Sequence, residues 1–268
     1  MTGNKGRFQA VEKLLDERFG LHFPDFRRGA LELAVRRGVR NTGAGSAEAY
    51  AQRLSSDGSE LSMLVSSTTN NLTRMFRNRT QLDILTSHLS PRFPDHVSVW
   101  VAGCATGEEP YSLAMALVDR GLDPARLSIV ASDISTTALE TAREGIYPVD
   151  VIAGVPNALR SRFFTVSRGQ ARIRHTIRDC VSFRNHSVTA IPPVHGVHLV
   201  VLRNVLTYLS ASGCVRALAG VRVATECGAL LAIGNAESLP PKSGFEPVLP
   251  AANRVFRRSC PDGSRNLP

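Results

Sequence analysis

A glycine-containing loop followed by two acids is the part of the sequence best suited to hold a ligand. Residues 101–112 read VAGCATGEEPYS, in which an apolar run ends at Gly103, a loop extends to Gly107, and Glu108 and Glu109 follow. Glycine lets a ligand approach the backbone, and the N-terminus of the next helix favours negative charge, such as a cofactor's carboxylate. Two adjacent carboxylates would repel a pyrophosphate, and the three-glycine pattern of dinucleotide-binding loops is missing. The loop therefore favours a cofactor with cationic groups, such as S-adenosylmethionine, although a plain strand-to-helix turn has the same spacing.

Asp133 is the second candidate, at the end of the apolar run LSIVASD. An acid at the carboxyl end of the strand that follows a glycine loop can accept hydrogen bonds from both hydroxyls of a ribose. Ser135 and Thr136 come next, so Asp133 can equally act as a helix cap. Taken with the glycine loop, it indicates a nucleoside site at the carboxyl ends of the strands.

The elements that must position these residues are short apolar runs alternating with helical patterns from residue 97 onward. The runs are VSVWVAG, LSIVASD, HLVVLRN and, near the end, ALLAIGN. Such alternation predicts βαβ units and a doubly wound, mostly parallel α/β sheet. Its strands are apolar throughout because helices cover both faces.

The first 66 residues show apolar side chains at helical spacing and contain no strand-like run. Ser46 is predicted to cap a helix that begins after a loop. We predict a small N-terminal helical domain over 1–66, a linker that contributes to the cofactor site over 67–96, a cofactor-binding domain over 97–258 and a tail over 259–268.

Composition narrows the class of protein. The chain has 268 residues, of which 43% are hydrophobic and 21% charged, as in a globular enzyme. No apolar run approaches the roughly 20 residues that cross a bilayer, and the N-terminus lacks the pattern of a signal peptide. We therefore expect a cytoplasmic protein that is not embedded in a membrane. Five cysteines, an odd number without a C-x-x-C pair, favour buried thiols over disulfides or a zinc site.

The net charge of +9 favours an acidic partner. Only 6% of the residues are aromatic and no basic stripe with interleaved aromatics occurs, which argues against a nucleic-acid partner. The segment DFRRGALELAVRRGVRN is notably basic. It carries five arginines that suit either an acidic partner or a solvated face: Arg27, Arg28, Arg36, Arg37 and Arg40.

Four segments, in this order and spacing, resemble the CheR family of chemotaxis receptor glutamate methyltransferases. They are TTNNLTRMFRN, GCATGEEPYSLAMAL, ASDISTTALETAREGIY and LRNVLTYLS, and the resemblance covers roughly residues 8–257. It implies a class I methyltransferase, Rossmann-like fold with a helical N-terminal domain and a small antiparallel β insert, which we assign to residues 163–183. It also implies S-adenosyl-L-methionine as methyl donor, S-adenosyl-L-homocysteine as product and carboxylates as acceptors, above all glutamate side chains of chemoreceptors. The insert's loop, SRGQ, is short, which suggests a member that does not depend on tethering to a receptor tail.

The family pattern, carried over position by position, implies a set of cofactor-binding residues, and the chemistry of methyl transfer adds a hypothesis of two catalytic residues. Arg77 would hold the acceptor carboxylate through a bidentate guanidinium, and Tyr208 would stand near the methyl group. Glu109 would bind the cofactor's ammonium and Asp133 its ribose. No metal is implied. The cofactor-binding residues would be Asn71, Thr73, Arg77, Gly103, Glu109, Asp133, Ser187, Val188, Arg203 and Asn204.

Several positions depart from the family pattern. They are Met75 (usually Phe), Asn78 (usually an acid), Ser187 and Val188 (usually Asn-Leu), His198 (commonly Asp) and Leu202 (commonly Cys). These changes fit a divergent chemotaxis enzyme or a relative recruited to a small-molecule or biosynthetic carboxylic acid. A third hypothesis is a scaffold that binds S-adenosylmethionine without turnover, against which the intact Asn71, Arg77, Glu109, Asp133 and Tyr208 weigh. The expected partner is accordingly an acidic protein such as the cytoplasmic bundle of a chemoreceptor, or a small carboxylic acid. We expect a monomer.

Overall fold

The computed structural model describes residues 8–69, 73–93, 95–248 and 253–260. Five helices precede the first strand in this part of the chain, and Ser46 caps the third of them by accepting a hydrogen bond from the Ala49 N–H, as predicted. They are α1 (Gln9–Phe19), α2 (Asp25–Thr42), α3 (Ala47–Ser56), α4 (Gly58–Thr68) and α5 (Arg79–Arg92).

A seven-stranded sheet follows, with strand order β6-β2-β1-β7-β8-β10-β9. The pairs from β6 to β8 are parallel, and β10 is antiparallel to both β8 and β9. This arrangement confirms the predicted doubly wound, mostly parallel sheet. The strands are β1 (Val97–Ala102), β2 (Leu127–Asp133), β6 (Val181–Asn185), β7 (Val197–Leu202), β8 (Thr225–Ile233), β9 (Phe245–Pro247) and β10 (Val255–Arg258).

Helices cover both faces of this sheet, and the residues of β1 alternate between the two hydrophobic cores. Val99 and Val101 belong to a core that also contains side chains of α5 and α6. Trp100 and Ala102 belong to a second core, shared with α1 to α4 and α10. The N-terminal helices therefore pack directly on one face of the sheet. The helices that follow β1 are α6 (Glu108–Asp119), α7 (Thr136–Glu144), α8 (Asn157–Phe163), α9 (His175–Arg178) and α10 (Ala211–Ala224).

A small antiparallel sheet is inserted before β6, with order β3-β5-β4. Its strands are β3 (Ile146–Pro148), β4 (Phe164–Ser167) and β5 (Gln170–Ile173). The assignment of the insert to 163–183 thus needs correction at both ends. The small sheet also includes β3, which precedes residue 163, and β6, which begins before residue 183, pairs with β2 of the large sheet instead. The strand β6 lies at the edge of the large sheet and is largely exposed, so it lacks the apolar run that marks interior strands.

Two cysteines contradict the expectation of buried thiols only. Cys227 and Cys260 form a disulfide with a Cα–Cα distance of 5.3 Å. Extending the β8–β10 register, in which Val255 faces Ala232, places Cys260 opposite Cys227. The pair escaped sequence analysis because 33 residues separate it. Cys104 and Cys180 are buried free thiols.

No helix among the described residues is long and apolar enough to span a membrane. Nor do their His, Cys, Asp and Glu side chains form a group that could hold a metal ion.

Candidate active site

The strand order of the large sheet reverses between β1 and β7, because β2 follows β1 on one side and β7 lies on the other. Ligands of open α/β sheets bind in the crevice at such a point. The loop after β1 begins at Gly103 and ends at Gly107, both with positive φ (78° and 94°). A Cβ on Gly103 would lie 2.3 Å from Cγ2 of Val205, and one on Gly107 would lie 2.9 Å from Cβ of Ala142. Both glycines are thus required by backbone conformation and packing, while only Gly103 lines the crevice.

Asp133 lies at the carboxyl end of β2, facing this loop. Its Oδ2 accepts a hydrogen bond from the Ala105 N–H and its Oδ1 one from the Ser135 N–H, both at 2.8 Å. The N-cap of α7 is Ser135, whose hydroxyl accepts from Ala138 N–H, so Asp133 is not the cap. Each carboxylate oxygen keeps acceptor capacity for a further donor. Burial raises the pKa of Asp133, and the backbone N–H groups of Ser135, Ala105 and Ile134 offset part of that shift.

Two adjoining cavities occupy the crevice, with volumes of about 90 Å³ and about 210 Å³. They share Gly103, Ala105, Asn204 and Tyr208. The smaller cavity has mainly apolar walls around Asp133, as an adenosine requires. Its other lining residues are Phe19, Leu21, Thr69, Ile134, His186, Ser187, Val188, Val205 and Leu209. The Ser187 hydroxyl already shares a 2.8 Å hydrogen bond with that of Thr189.

The larger cavity is polar and carries charges of both signs. Glu109 and Arg203 form an ion pair of 2.6 Å in which both side chains are largely buried. Thr73 and Arg77 line the same cavity, and Arg203 also donates to the backbone carbonyl of Arg77. Burial raises the pKa of Glu109, and the guanidiniums of Arg203 and Arg77 offset part of the shift. A carboxylate beside two guanidiniums complements the ammonium and carboxylate of a methionine moiety, so the residues present fit S-adenosylmethionine.

Tyr208 ends the short 3₁₀ turn Leu206–Tyr208 after β7 and lines both cavities. The guanidinium carbon of Arg27, from the first turn of α2, lies 4.0 Å from the centre of the Tyr208 ring. Burial lowers the pKa of Arg27, and the neighbouring Tyr208 opposes that shift. In the sequence Arg27 is one of the arginines of a basic helix, and nothing there indicates this contact, because it joins residues far apart in the chain.

The backbone fixes the relation between Tyr208 and the N-terminal helices. The His22 N–H donates to the Tyr208 carbonyl and the Ser210 N–H to the Gly20 carbonyl, each at 2.8 Å. Leu21 and Leu209 form the bridge between these two bonds. The segment between α1 and α2 is therefore part of the wall of the site.

The structure thus brings nearly all of the predicted site residues to one crevice. Asn71 lies outside the described residues. Among the departures from the family pattern, Met75 is buried and accepts a weak hydrogen bond from the Ser112 hydroxyl. His198 lies near the beginning of β7, away from the crevice, where its Nδ1 accepts from the Ser98 N–H.

Comparison with known proteins identifies the family of this chain. A model of the "CheR methyltransferase, SAM binding domain" matches residues 71–254. The chain belongs to the CheR methyltransferase family. The large sheet has the class I methyltransferase arrangement, and the matched domain is the S-adenosylmethionine-binding domain of that family, which confirms the fold and the cofactor predicted above.

Relatives of this CheR-family protein differ in length. It is 30% identical over 265 residues to an "Uncharacterized 104.1 kDa protein in hypE 3'region" of Rhodobacter capsulatus, covering 96% of this chain and 28% of that protein. It is 33% identical over 185 residues to "Chemotaxis protein methyltransferase 2" of Pseudomonas aeruginosa, covering 66% of each chain. The matched regions thus span less than two thirds of either relative. A crystal structure of the glycopeptide N-methyltransferase MtfA with S-adenosyl-L-methionine shares 16% identity and a TM-score of 0.36, covering 60% of this chain and 56% of that one.

The raised pKa of Glu109 gives a pH prediction. If its carboxylate binds the cofactor's ammonium, affinity for S-adenosylhomocysteine should fall as the pH drops through that pKa, which lies above that of an ordinary glutamate. The loss should reach about tenfold per pH unit, because protonation removes the attraction. Calorimetric titrations across the acidic range measure it.

Glu109→Gln is the control for this pH prediction. It should bind more weakly at neutral pH and lose less affinity on acidification than the wild type. Asp133 should add a decline common to both proteins, since burial raises its pKa as well. Identical pH profiles in the two proteins would contradict the role of Glu109.

Proposed function

We propose that this protein transfers a methyl group to a carboxylate oxygen of an acceptor, forming a methyl ester, and that the acceptor is a glutamate side chain of a chemoreceptor. The supporting observation is that Arg77 lines the larger cavity together with Tyr208, whose ring is in turn stacked against the guanidinium of Arg27. An anionic acceptor suits such a setting. The name of the Pseudomonas aeruginosa relative, a chemotaxis protein methyltransferase, supports a chemotaxis protein as the acceptor.

The chemistry makes modest demands on the protein. S-adenosylmethionine, when bound, supplies an electrophilic methyl group on a sulfonium. A glutamate carboxylate is ionised at neutral pH, so no strong general base is needed. The residues of the crevice act mainly by alignment, since the attacking oxygen must be held about 3–3.5 Å from the methyl carbon.

Each residue near the reacting groups has a proposed task. Arg77 is exposed at the mouth of the larger cavity and presents a planar fork that matches a carboxylate. Tyr208 directs its hydroxyl toward the incoming oxygen or the methyl donor. Arg27 fixes the Tyr208 ring by stacking and adds a positive charge beside it.

Loss of Arg27 should weaken acceptor use more than loss of another arginine of the same helix. For Arg27→Gln we expect an increase of about tenfold in the KM for the acceptor, because a stacked cation contributes on the order of 1 kcal/mol or more when partly desolvated. Arg37→Gln is the matched control, since Arg37 is exposed on α2. Equal effects of the two substitutions would show that only the general charge of α2 matters.

The proposed function is tested with methyl-labelled S-adenosylmethionine. Label should enter membranes that contain chemoreceptors and be released by mild base as methanol, since methyl esters hydrolyse and methyl ethers or amines do not. Label found instead in extractable metabolites would replace the receptor by a small carboxylic acid. Binding of the cofactor with no transfer to either would refute the enzymatic proposal.

A further inference from the structure

Glu237 is a buried acid beside the crevice that has no part in the chemistry above. It ends the loop Gly234–Glu237, which follows β8, and the residue is 3% exposed. Its Oε2 accepts hydrogen bonds from the Gly234 N–H at 2.6 Å and the Asn204 N–H at 2.8 Å. Its Oε1 accepts from the Thr207 N–H at 3.3 Å.

Backbone donors alone hold this carboxylate in the described part of the chain, where no ion pair to Glu237 occurs. Burying a charge is costly unless hydrogen bonds compensate for lost hydration. Three N–H groups converge here on one carboxylate, and two of them belong to the segment Asn204–Tyr208. The carboxylate therefore pins that segment to the end of β8.

The close approach depends on Gly234. A Cβ at this position would lie 2.8 Å from Oε2 of Glu237 and 3.0 Å from the backbone nitrogen of Asn204. Asn204 itself has a φ of 58°, a left-handed backbone conformation that asparagine adopts more often than other non-glycine residues do. The hydrogen bond from its N–H to Glu237 helps to hold that conformation, and Asn204 lines both cavities.

The same loop reaches the other side of the crevice. The amide of Asn78 donates to Oδ1 of Asn235 at 2.9 Å. Asn78 follows Arg77 and is the N-cap of α5, where its side chain accepts from Gln81 N–H. One four-residue loop thus contacts the segment that carries Tyr208 and the segment that carries Arg77.

We propose that Glu237 is a positioning residue, which fixes the Asn204–Tyr208 segment so that the Tyr208 ring keeps its orientation in the crevice. The catalytic consequence rests on the proposed function, in which Tyr208 acts near the methyl group. Without the carboxylate, the Asn204 and Thr207 N–H groups lose their shared acceptor, and Tyr208 moves with them.

The test uses ¹⁹F NMR of the full chain labelled with fluorotyrosine, which requires no acceptor. The protein has four tyrosines, and Tyr208→Phe assigns the resonance of Tyr208. In Glu237→Gln, that resonance should shift or broaden, while those of Tyr50, Tyr111 and Tyr147 stay in place. These three are buried in α3, α6 and β3, so they report on folding elsewhere. Glu246→Gln, an exposed site on β9, is the matched control and should change none of the four.

Glu237→Asp serves as a second variant because it keeps the charge but shortens the reach. It should displace Tyr208 as well, since a shorter side chain cannot contact all three N–H groups. An unmoved Tyr208 resonance in both variants would overturn the proposal. So would a collapse of all four resonances in both, because Glu237 would then support the fold as a whole.

Turnover separates this inference from the proposed function. Once an acceptor is known, kcat of Glu237→Gln should fall about 10- to 100-fold, because small displacements of groups near the reacting atoms reduce the rate by such factors. The affinity for S-adenosylhomocysteine should fall less. If Tyr208 moves and kcat does not change, the positioning role stands and the catalytic role of Tyr208 is refuted.

Discussion

Asp133→Ala should reduce the affinity for S-adenosylhomocysteine by at least about 100-fold. Two hydrogen bonds from ribose hydroxyls to a carboxylate contribute about 1.5–3 kcal/mol each. The substitution also removes the acceptor of the Ala105 and Ser135 N–H groups, which order the loops on either side. Calorimetric titration of the purified protein measures the loss directly.

Asp123→Ala is the matched control for this titration. Asp123 lies just before the opposite end of β2, where it caps a short 3₁₀ turn and is exposed. It should bind S-adenosylhomocysteine like the wild type. Tight binding that survives in Asp133→Ala would remove Asp133 from the nucleoside site and with it the central part of the cofactor assignment.

Arg77→Ala should lower kcat by about 100-fold or more. The guanidinium is proposed to hold the acceptor carboxylate in line with the methyl group, and loss of such alignment costs orders of magnitude. Arg77→Lys should recover only part of the rate, because an ammonium keeps the charge but not the bidentate geometry. Initial rates of methyl transfer at saturating cofactor give the comparison.

Arg120→Ala controls for the removal of a surface arginine. Arg120 forms a 3.5 Å ion pair with Asp83, and both side chains are exposed, a type of pair that contributes little. Normal turnover in Arg77→Ala would sink its catalytic assignment. A loss confined to cofactor affinity would leave Arg77 as a binding residue only.

Four adjacent strands of the large sheet could be predicted from sequence because burial on both faces makes them apolar throughout. The four apolar runs became β1, β2, β7 and β8, and they carry Gly103, Asp133 and Arg203 to one edge. Edge strands leave no such trace. The exposed strand β6 and the three-residue β3 are recognised only through their partners, Ile129–Asp133 and Arg172–Gln170.

The parts of the site that were missed depend on contacts between distant residues. Arg27 stacks on Tyr208 across most of the chain, and Glu237 binds Asn204 from a loop that sequence analysis did not single out. Periodicity and motif spacing describe one segment at a time, so neither contact leaves a mark in them. The disulfide between Cys227 and Cys260 was missed for the same reason.

The bridge between Leu21 and Leu209 limits how segments of family members can be exchanged. The family model begins at residue 71, yet residues before it supply backbone partners to the turn that holds Tyr208. At this junction Gly20 and Gly213 are in contact, and a Cβ on Gly20 would lie 2.8 Å from the Cα of Gly213. The start of the matched family model therefore does not coincide with the edge of the packed unit that holds Tyr208. Grafting the N-terminal helices of another family member onto this chain should succeed only when both sides of the junction are exchanged together.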